Sequence, residues 1–153
     1  MIKPSEPLVD ADAHAGVLSR DPFVAELERA VGRARAAGTP TSLVVVRSAD
    51  HPKSAAHHWA ALVLGLVRPG DRVGALGPSE LVVLLEGASR EAAGEIALLI
   101  VTHDLDDPPL LCGAATFPEA AGSADSLLEA ARSAAAETKL EAPVAVAPSL
   151  AGG

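Results

Sequence analysis

The stretch Arg68-Pro-Gly-Asp-Arg-Val-Gly-Ala-Leu-Gly-Pro-Ser-Glu-Leu-Val-Val-Leu-Leu85 decides the fold. It predicts a hairpin with one strand over Arg72–Leu76, a turn at Gly77-Pro78-Ser79 and a second strand over Glu80–Leu85. Gly and Pro at the tip supply the backbone angles that a tight reversal needs. The second strand is apolar from its second residue to its last, which is typical of a strand buried on both faces. The hairpin is therefore predicted to lie in a sheet with helices on both sides.

The rest of the chain alternates between helical and strand patterns. Helices are predicted from Asp21-Pro22 to the stop at Gly38, and over Ala55–Val67, Ser89–His103 and Ser123–Thr138; strands are predicted over Ser42–Val46, Leu110–Thr116 and Val144–Val146. The inner side of the first helix should carry Phe23, Leu27, Ala30, Val31 and Ala34, and that of the third should carry Ala92, Ile96, Leu99 and Ile100. Asp21 is interpreted as the N-cap of the first helix. This order, β-α-β-β-α-β preceded by a helix, predicts an α/β (α+β) fold with a mixed sheet.

Length and charge limit the class of protein. The 153 residues suffice for one domain, which we expect over residues 12–146, between a flexible lead at 1–11 and a flexible tail at 147–153. The formal charge of −8 disfavours attraction to nucleic acids and anionic membranes. No apolar run is long enough for membrane insertion and nothing resembles a signal peptide. A cytoplasmic bacterial protein that binds no nucleic acid is expected.

The hairpin resembles the central hairpin of GGDEF domains, the fold of bacterial diguanylate cyclases. In that family the strand Asp-x-x-x-Arg-Tyr leads into the turn Gly-Gly-Asp/Glu-Glu-Phe; here the turn letters are Gly77, Pro78, Ser79, Glu80 and Leu81. Further positions that match family motifs are Asp12, Gly16, Arg20, Phe23, Gly113, Ala115, Phe117, Pro118, Ala131 and Lys139. The resemblance over residues 12–139 implies a GGDEF/nucleotide-cyclase-like fold with a ferredoxin-like βαββαβ core. The alternative is another α/β sandwich of ferredoxin-like type.

The resemblance implies a catalytic chemistry whose residues are missing from this chain. Diguanylate cyclases join two GTP molecules with divalent metals held by carboxylates, the hard oxygen ligands that Mg²⁺ prefers. The two expected carboxylate positions carry Ser48 and Ser79. Pro78 replaces a glycine whose backbone N–H faces phosphate, and proline has no N–H. We therefore interpret Gly77–Leu81 as a degenerate signature turn and predict no catalytic residue, no bound metal, no cofactor and no enzyme activity.

A second family site, Arg-x-x-Asp, stands five residues before the signature turn in many GGDEF domains and binds cyclic di-GMP. Arg68 and Asp71 match it in residue type and spacing. A guanidinium can take a phosphate or the guanine edge, and a carboxylate can accept from guanine N–H groups. The alternative is a structural turn in which Arg68 and Asp71 pair with each other or cap a strand. No arginine stands at Glu95 or Leu99, where the family recruits a second one.

Other polar residues are interpreted as structural. His51, His57 and His58 lack the spacing and partner ligands of a metal site. Asp50, Lys53 and Glu80 are read as surface polar residues at strand ends. Arg29, Arg33 and Arg35 share a helix with Glu26 and Glu28 and predict a solvated, salt-bridged face. Cys112, the single cysteine, is read as a small buried hydrophobe.

The sequence thus predicts a catalytically inactive GGDEF-like regulatory domain that acts by binding in bacterial signalling. Its partner would be cyclic di-GMP at Arg68 and Asp71, an unidentified protein, or a second copy of the chain. The first alternative is a purely protein–protein interaction module that binds no nucleotide. The second alternative is an active diguanylate cyclase. GTP turnover, cyclic di-GMP binding and co-purification with a protein would separate the three.

Overall fold

A computed structural model of the chain describes residues 16–49, 60–103 and 109–149. The strands are β1 (Val17–Leu18), β2 (Thr41–Ser48), β3 (Arg72–Gly77), β4 (Glu80–Glu86), β5 (Leu110–Phe117) and β6 (Val144–Val146). The helices are α1 (Arg20–Ala37), α2 (Ala60–Leu66), α3 (Arg90–His103) and α4 (Ala124–Ala136). In the described ranges no helix has the length and apolar character that a membrane crossing requires.

The six strands form one mixed sheet in the order β1-β3-β4-β2-β5-β6. The hairpin β3–β4 is antiparallel, and β2 lies antiparallel between β4 and β5. The edge strands β1 and β6 are parallel to their neighbours. This arrangement confirms the predicted α/β class and the β-α-β-β-α-β order. The short strand β1, which pairs Val17 with Val73, was not predicted.

Strand β4 separates two apolar layers, because its side chains alternate between the faces of the sheet. Val82 and Leu84 pack in the layer under α1 and α4. Leu81, Val83 and Leu85 pack in the layer under α2 and α3. All five side chains are at most 2% exposed. The prediction of a strand buried on both faces is confirmed.

Two glycines let helices approach the sheet closely. A Cβ atom at Gly74 of β3 would lie 2.5 Å from the ring of Phe23 in α1. A Cβ atom at Gly113 of β5 would overlap the backbone of Ala135 in α4. Because no side chain intervenes, α1 and α4 both lie directly against the sheet. A groove beside the hairpin tip lies between the start of α1 and α4.

Helix α1 begins two residues earlier than the sequence indicated. Ser19 is its N-cap and Asp21 lies in the first turn, where a carboxylate interacts favourably with the helix dipole. The helix ends at Gly38, whose φ of 72° is left-handed. Its buried residues are the five predicted ones: Phe23, Leu27, Ala30, Val31 and Ala34.

Helix α3 is rotated relative to the prediction. Ala93, Ala97 and Ile100 face the sheet and are at most 1% exposed, whereas Ala92 and Ile96 are half-buried. Leu99, predicted to face inward, is 44% exposed, and Leu98 is 55% exposed. The prediction for Leu99 was wrong because the small alanines, spaced four residues apart, allow the closest approach to the strands. Two leucines are left on the outer side.

Candidate functional site: the two ends of the hairpin

The tip of the hairpin is a two-residue turn, Pro78–Ser79, closed by the pairing of Gly77 with Glu80. The pairing shifts between Ala75 and Gly77, so Leu76 is the extra residue of a β-bulge. The Nη1 atom of Arg20 donates to the Leu76 carbonyl oxygen at 3.3 Å. The start of α1 is thus joined to the hairpin tip.

The sheet brings the two serine positions to the same end. Ser48 is the last residue of β2, and the preceding residue, Arg47, pairs with Glu80 of β4. Ser48 is 0% exposed and Ser79 is 5% exposed. Burial of a neutral hydroxyl is far less costly than burial of a carboxylate. Both serines can therefore be buried without a metal ion. A metal site at the same positions would need charged oxygen ligands.

Glu80 lies on the other face of the sheet from Ser48. By strand alternation Glu80 shares the side of Val82, under α1 and α4. Ser48 pairs with Leu110, which belongs to the layer under α2 and α3. The carboxylate that remains in the turn therefore does not point to the side on which Ser48 lies.

Glu80 is held by an arginine of α4. The Nη2 atom of Arg132 donates to Glu80 Oε1 at 3.0 Å, and the Glu80 side chain is 18% exposed. The arginine already neutralises the Glu80 carboxylate, which would have to bind a metal ion if it were a metal ligand. No group of three or more His, Cys, Asp or Glu that could hold a metal ion occurs within the residues described.

A groove of about 900 Å³ opens beside this ion pair, between the start of α1 and the outer side of α4. Its polar lining comprises Arg20, Arg47, Arg132, Glu80, Asp125, Glu129 and Ser133. Arg47 Nε donates to the Ala135 carbonyl oxygen at 3.2 Å. Three guanidinium groups and three carboxylates give a lining of balanced charge. Sequence reasoning missed this groove, since no motif links residues of four separate elements.

At the opposite end of the hairpin, the Arg68–Asp71 segment forms a closed turn. The Asp71 backbone N–H donates to the Arg68 carbonyl oxygen at 3.0 Å, and Gly70 has a φ of 94°. Pro at the second position and Gly with positive φ at the third are the residues that a type II turn requires. A structural turn over Arg68–Asp71 is the sequence-based alternative to a ligand site, and the structure has such a turn.

The side chains of Arg68 and Asp71 form a two-point ion pair across this turn. Arg68 Nε donates to Asp71 Oδ2 at 3.0 Å and Arg68 Nη2 donates to Oδ1 at 2.9 Å. The Arg68 backbone N–H also donates to Oδ2, at 2.8 Å. The carboxylate hydrogen bonds raise the pKa of Arg68 against the opposing effect of partial burial. The Asp71 side chain is only 4% exposed, whereas that of Arg68 is 45% exposed.

The two residues therefore differ in what they offer a ligand. Asp71 accepts three hydrogen bonds from its own turn, and its side chain is buried. Arg68 uses two of its five N–H donors on Asp71, which leaves three for water or a ligand. In this arrangement Arg68 can contact an anion directly, and Asp71 fixes the direction of the guanidinium.

The basic residues of α1 are more specifically paired than the sequence indicated. Arg29 pairs with Glu26 on the same helix at 2.8 Å. Arg33 instead forms two hydrogen bonds with Glu86 of β4, at 2.7 and 3.0 Å. Arg35 donates to the Gly122 carbonyl oxygen at 2.6 Å and lies 5.3 Å from the centre of the Phe117 ring. Two of the three arginines thus connect α1 to other elements of the fold.

Several predicted residues add no site to the described structure. Asp12, Asp50, Lys53, His51, His57 and His58 lie outside the described residues. Cys112 is fully buried in β5, and burial raises the pKa of its thiol. A thiol that stays protonated and inaccessible has neither the reactivity nor the exposure of a nucleophile.

Comparisons with solved structures identify the fold. The GGDEF domain of TpbB (YfiN) from Pseudomonas aeruginosa is 26% identical over 90% of this chain and 93% of that one, with a TM-score of 0.74. The active GGEEF domain of a diguanylate cyclase from Vibrio cholerae has a TM-score of 0.75 at 16% identity, covering 86% of this chain and 97% of that one. The GGDEF domain of DgcB from Caulobacter crescentus, solved with c-di-GMP, has a TM-score of 0.74 at 21% identity over 96% of both chains.

Sequence comparison alone does not detect this relationship. No family model matches the chain, and a search of curated proteins gives no significant match. The strand order, the hairpin and the long structural overlap carry the assignment instead. The chain has the fold of GGDEF domains.

Proposed function

We propose that this chain is a catalytically inactive, cytoplasmic regulatory domain of bacterial signalling that acts by binding rather than by cyclising GTP. The observation that carries this proposal is the composition of the hairpin tip. Ser48 and Ser79 occupy the positions where the family resemblance expects metal-binding carboxylates. Pro78 offers no N–H to a phosphate.

The contacts of Glu80 support the same conclusion. Its Oε1 atom is 3.0 Å from Arg132, and its side chain points away from the face on which Ser48 lies. A two-metal reaction depends on several carboxylates preorganised around the ions. One carboxylate already neutralised by an arginine cannot supply that arrangement.

Cyclic di-GMP is the ligand that the opposite end of the hairpin would take. Arg68 retains three N–H donors and nearly half of its side chain is exposed. Asp71 would hold this guanidinium in place, and its own recognition of guanine would require the ion pair to open. Because Glu95 and Leu99 offer no second guanidinium, we expect weak, micromolar binding of a single ligand.

Isothermal titration of the full chain with cyclic di-GMP tests this site. The wild type should bind, and Arg68→Ala should weaken binding by roughly 1.5–3 kcal/mol because a charged hydrogen-bonding group is lost. Arg29→Ala is a matched control, since Arg29 also belongs to an exposed i,i+3 ion pair, at 2.8 Å from Glu26. This control should bind like the wild type.

Two results would reject cyclic di-GMP as the ligand. One is the absence of binding by the wild type at high micromolar ligand. The other is an equal loss of affinity in Arg68→Ala and Arg29→Ala, which would indicate a general effect of surface charge. In either case the regulatory role would depend on a protein partner alone.

A further inference from the structure

The outer side of α3 combines exposed leucines with carboxylates that form no ion pair within the described residues. Leu98 and Leu99 are two of only three large hydrophobic side chains that are exposed in the described part of the chain. Glu91 and Glu95, which lie two turns and one turn before them, are also exposed. Residues 91, 95, 98, 99 and 102 fall on one side of a helix with 100° between successive residues. We call the surface formed by Glu91, Glu95, Leu98 and Leu99 the α3 outer face.

The charges of the α3 outer face are unusual for this protein. No ion pair involving Glu91 or Glu95 occurs among the described residues, although the two lie four residues apart and repel each other. The comparable exposed pair Asp125 and Glu129 on α4 lies in a groove with three arginines. On α1, Glu26 is paired with Arg29 and Arg72. Only on α3 do two exposed leucines lie beside carboxylates that have no cation in the described structure.

We propose that the α3 outer face is a docking surface for a basic amphipathic helix of another protein. The leucines would contact the apolar side of such a helix, and Glu91 and Glu95 would pair with its lysines or arginines. This partner would be the one through which the regulatory function proposed above acts, so the inference rests on that function. Docking at this face does not depend on cyclic di-GMP binding, although Glu95 and Leu99 stand where the family recruits a second arginine for that ligand.

Charge complementarity selects this occupant over the others. A second copy of the chain would bring another set of carboxylates, and the chain carries a formal charge of −8. Anionic membranes and nucleic acids are repelled for the same reason. The chain's own segments outside the described residues, at 1–15, 50–59, 104–108 and 150–153, carry no excess of Lys and Arg over Asp and Glu, so they would not supply the positive charge that this surface attracts. A cationic helix with aliphatic residues on one side satisfies both features of the surface.

The test uses the full chain and a fluorescein-labelled synthetic peptide as probe. The peptide forms an amphipathic helix with leucines on one side flanked by lysines, and its control has the same composition scrambled so that the leucines no longer share a side. Fluorescence anisotropy should show binding of the first peptide and clearly weaker binding of the scrambled one. Binding should weaken as salt is raised, because the ion pairs are exposed.

Substitutions separate the two features of the surface. Leu98→Ser with Leu99→Ser should lower peptide affinity about tenfold or more by removing the apolar contact. Glu91→Gln with Glu95→Gln should lower it about fivefold and reduce its salt dependence. Asp125→Asn with Glu129→Gln, the matched pair on α4, should bind like the wild type. Thermal unfolding of each variant checks that folding is retained.

The docking surface would be rejected if the wild type bound neither peptide, or bound both equally. It would also be rejected if the α4 control lost as much affinity as the α3 variants. GTP turnover by the same preparation would overturn the proposed regulatory function but leave the peptide result unaffected. The two proposals can therefore fail separately.

Discussion

The two ends of the β3–β4 hairpin differ in how far their polar side chains are buried. At the tip, Ser79 is buried and Glu80 is paired with Arg132. At the other end, separated by the length of β3, roughly 17 Å, Arg68 lies on a turn with nearly half of its side chain exposed. The residues that the family resemblance would make catalytic are thus part of the packing. The residue that it would make regulatory remains accessible to a ligand.

If the tip is catalytically inactive, as proposed, this difference explains how catalytic residues can change without loss of the fold. A buried hydroxyl needs only one hydrogen-bond partner, whereas a buried carboxylate without a metal would destabilise the same position. The Arg68–Asp71 turn does not depend on a bound metal, because its shape is set by Gly70 and by hydrogen bonds within the turn. Both ends are held by the apolar strand β4 that lies between them.

The largest effect is expected for Val83→Asp. Val83 is 0% exposed in the layer under α2 and α3, so the substitution would bury an unpaired charge. We expect a loss of about 3 kcal/mol or more in unfolding free energy, enough to unfold a marginal domain. Circular dichroism during thermal or urea unfolding measures this loss. Leu98→Asp, at a side chain that is 55% exposed, is the control and should change stability by about 0.5 kcal/mol or less.

An unchanged melting temperature of Val83→Asp would contradict the comparison between the two ends of the hairpin. The strand would then not be covered on both faces, and the two ends of the hairpin would not share a rigid support.

The next largest effect should separate Asp71 from Arg68. Asp71→Ala removes the acceptor of three hydrogen bonds from a side chain that is 4% exposed, and should cost about 1–3 kcal/mol of unfolding free energy. Arg68→Ala removes the member of the pair whose side chain is 45% exposed, and should cost at most about 1 kcal/mol. Urea unfolding of both variants measures the difference. Equal losses would mean that Arg68 is also a structural residue, which would weaken its assignment to a ligand.

The hairpin was largely predictable from local sequence. Apolar residues at every position of Leu81–Leu85 determine a two-faced strand, and Pro69-Gly70 determines a turn. The five inner residues of α1 followed from helical spacing alone. The assignment of Ser48 and Ser79 to positions where the family pattern has carboxylates depends on that pattern alone, and it stays a prediction.

The remaining features depend on contacts between distant residues. Arg132 and Glu80 are 52 residues apart, and no local rule pairs them. Leu99 looked like a core residue because its own helical spacing is compatible with one, but Ala93 and Ala97 allow a closer approach to the sheet. The pairing of β1 with β3 involves only two residues, which is too short for a recognisable pattern.

A smaller, pH-dependent effect is expected beside the end of β4, near the Arg68 end of the hairpin. Hydrogen bonds from Arg33 lower the pKa of Glu86 below its ordinary value of 4.5. The stability that this pair contributes is therefore fully present above pH 4.5 and is lost as pH falls through the lowered pKa. Glu86→Gln or Arg33→Gln should make the loss of stability in acid less steep, as measured by urea unfolding in a pH series. An identical acid limb in the wild type and in both variants would show that the pair contributes nothing measurable.

The most direct test of the inactive tip is the conversion of GTP to cyclic di-GMP by the purified chain with Mg²⁺ or Mn²⁺. We predict that no product forms over extended incubation at high protein concentration, because the serines at 48 and 79 cannot replace metal-binding carboxylates. Glu80→Ala serves as the control against a contaminating cyclase, whose activity would be the same in both preparations. Product that forms with the wild type and disappears with Glu80→Ala would contradict the account.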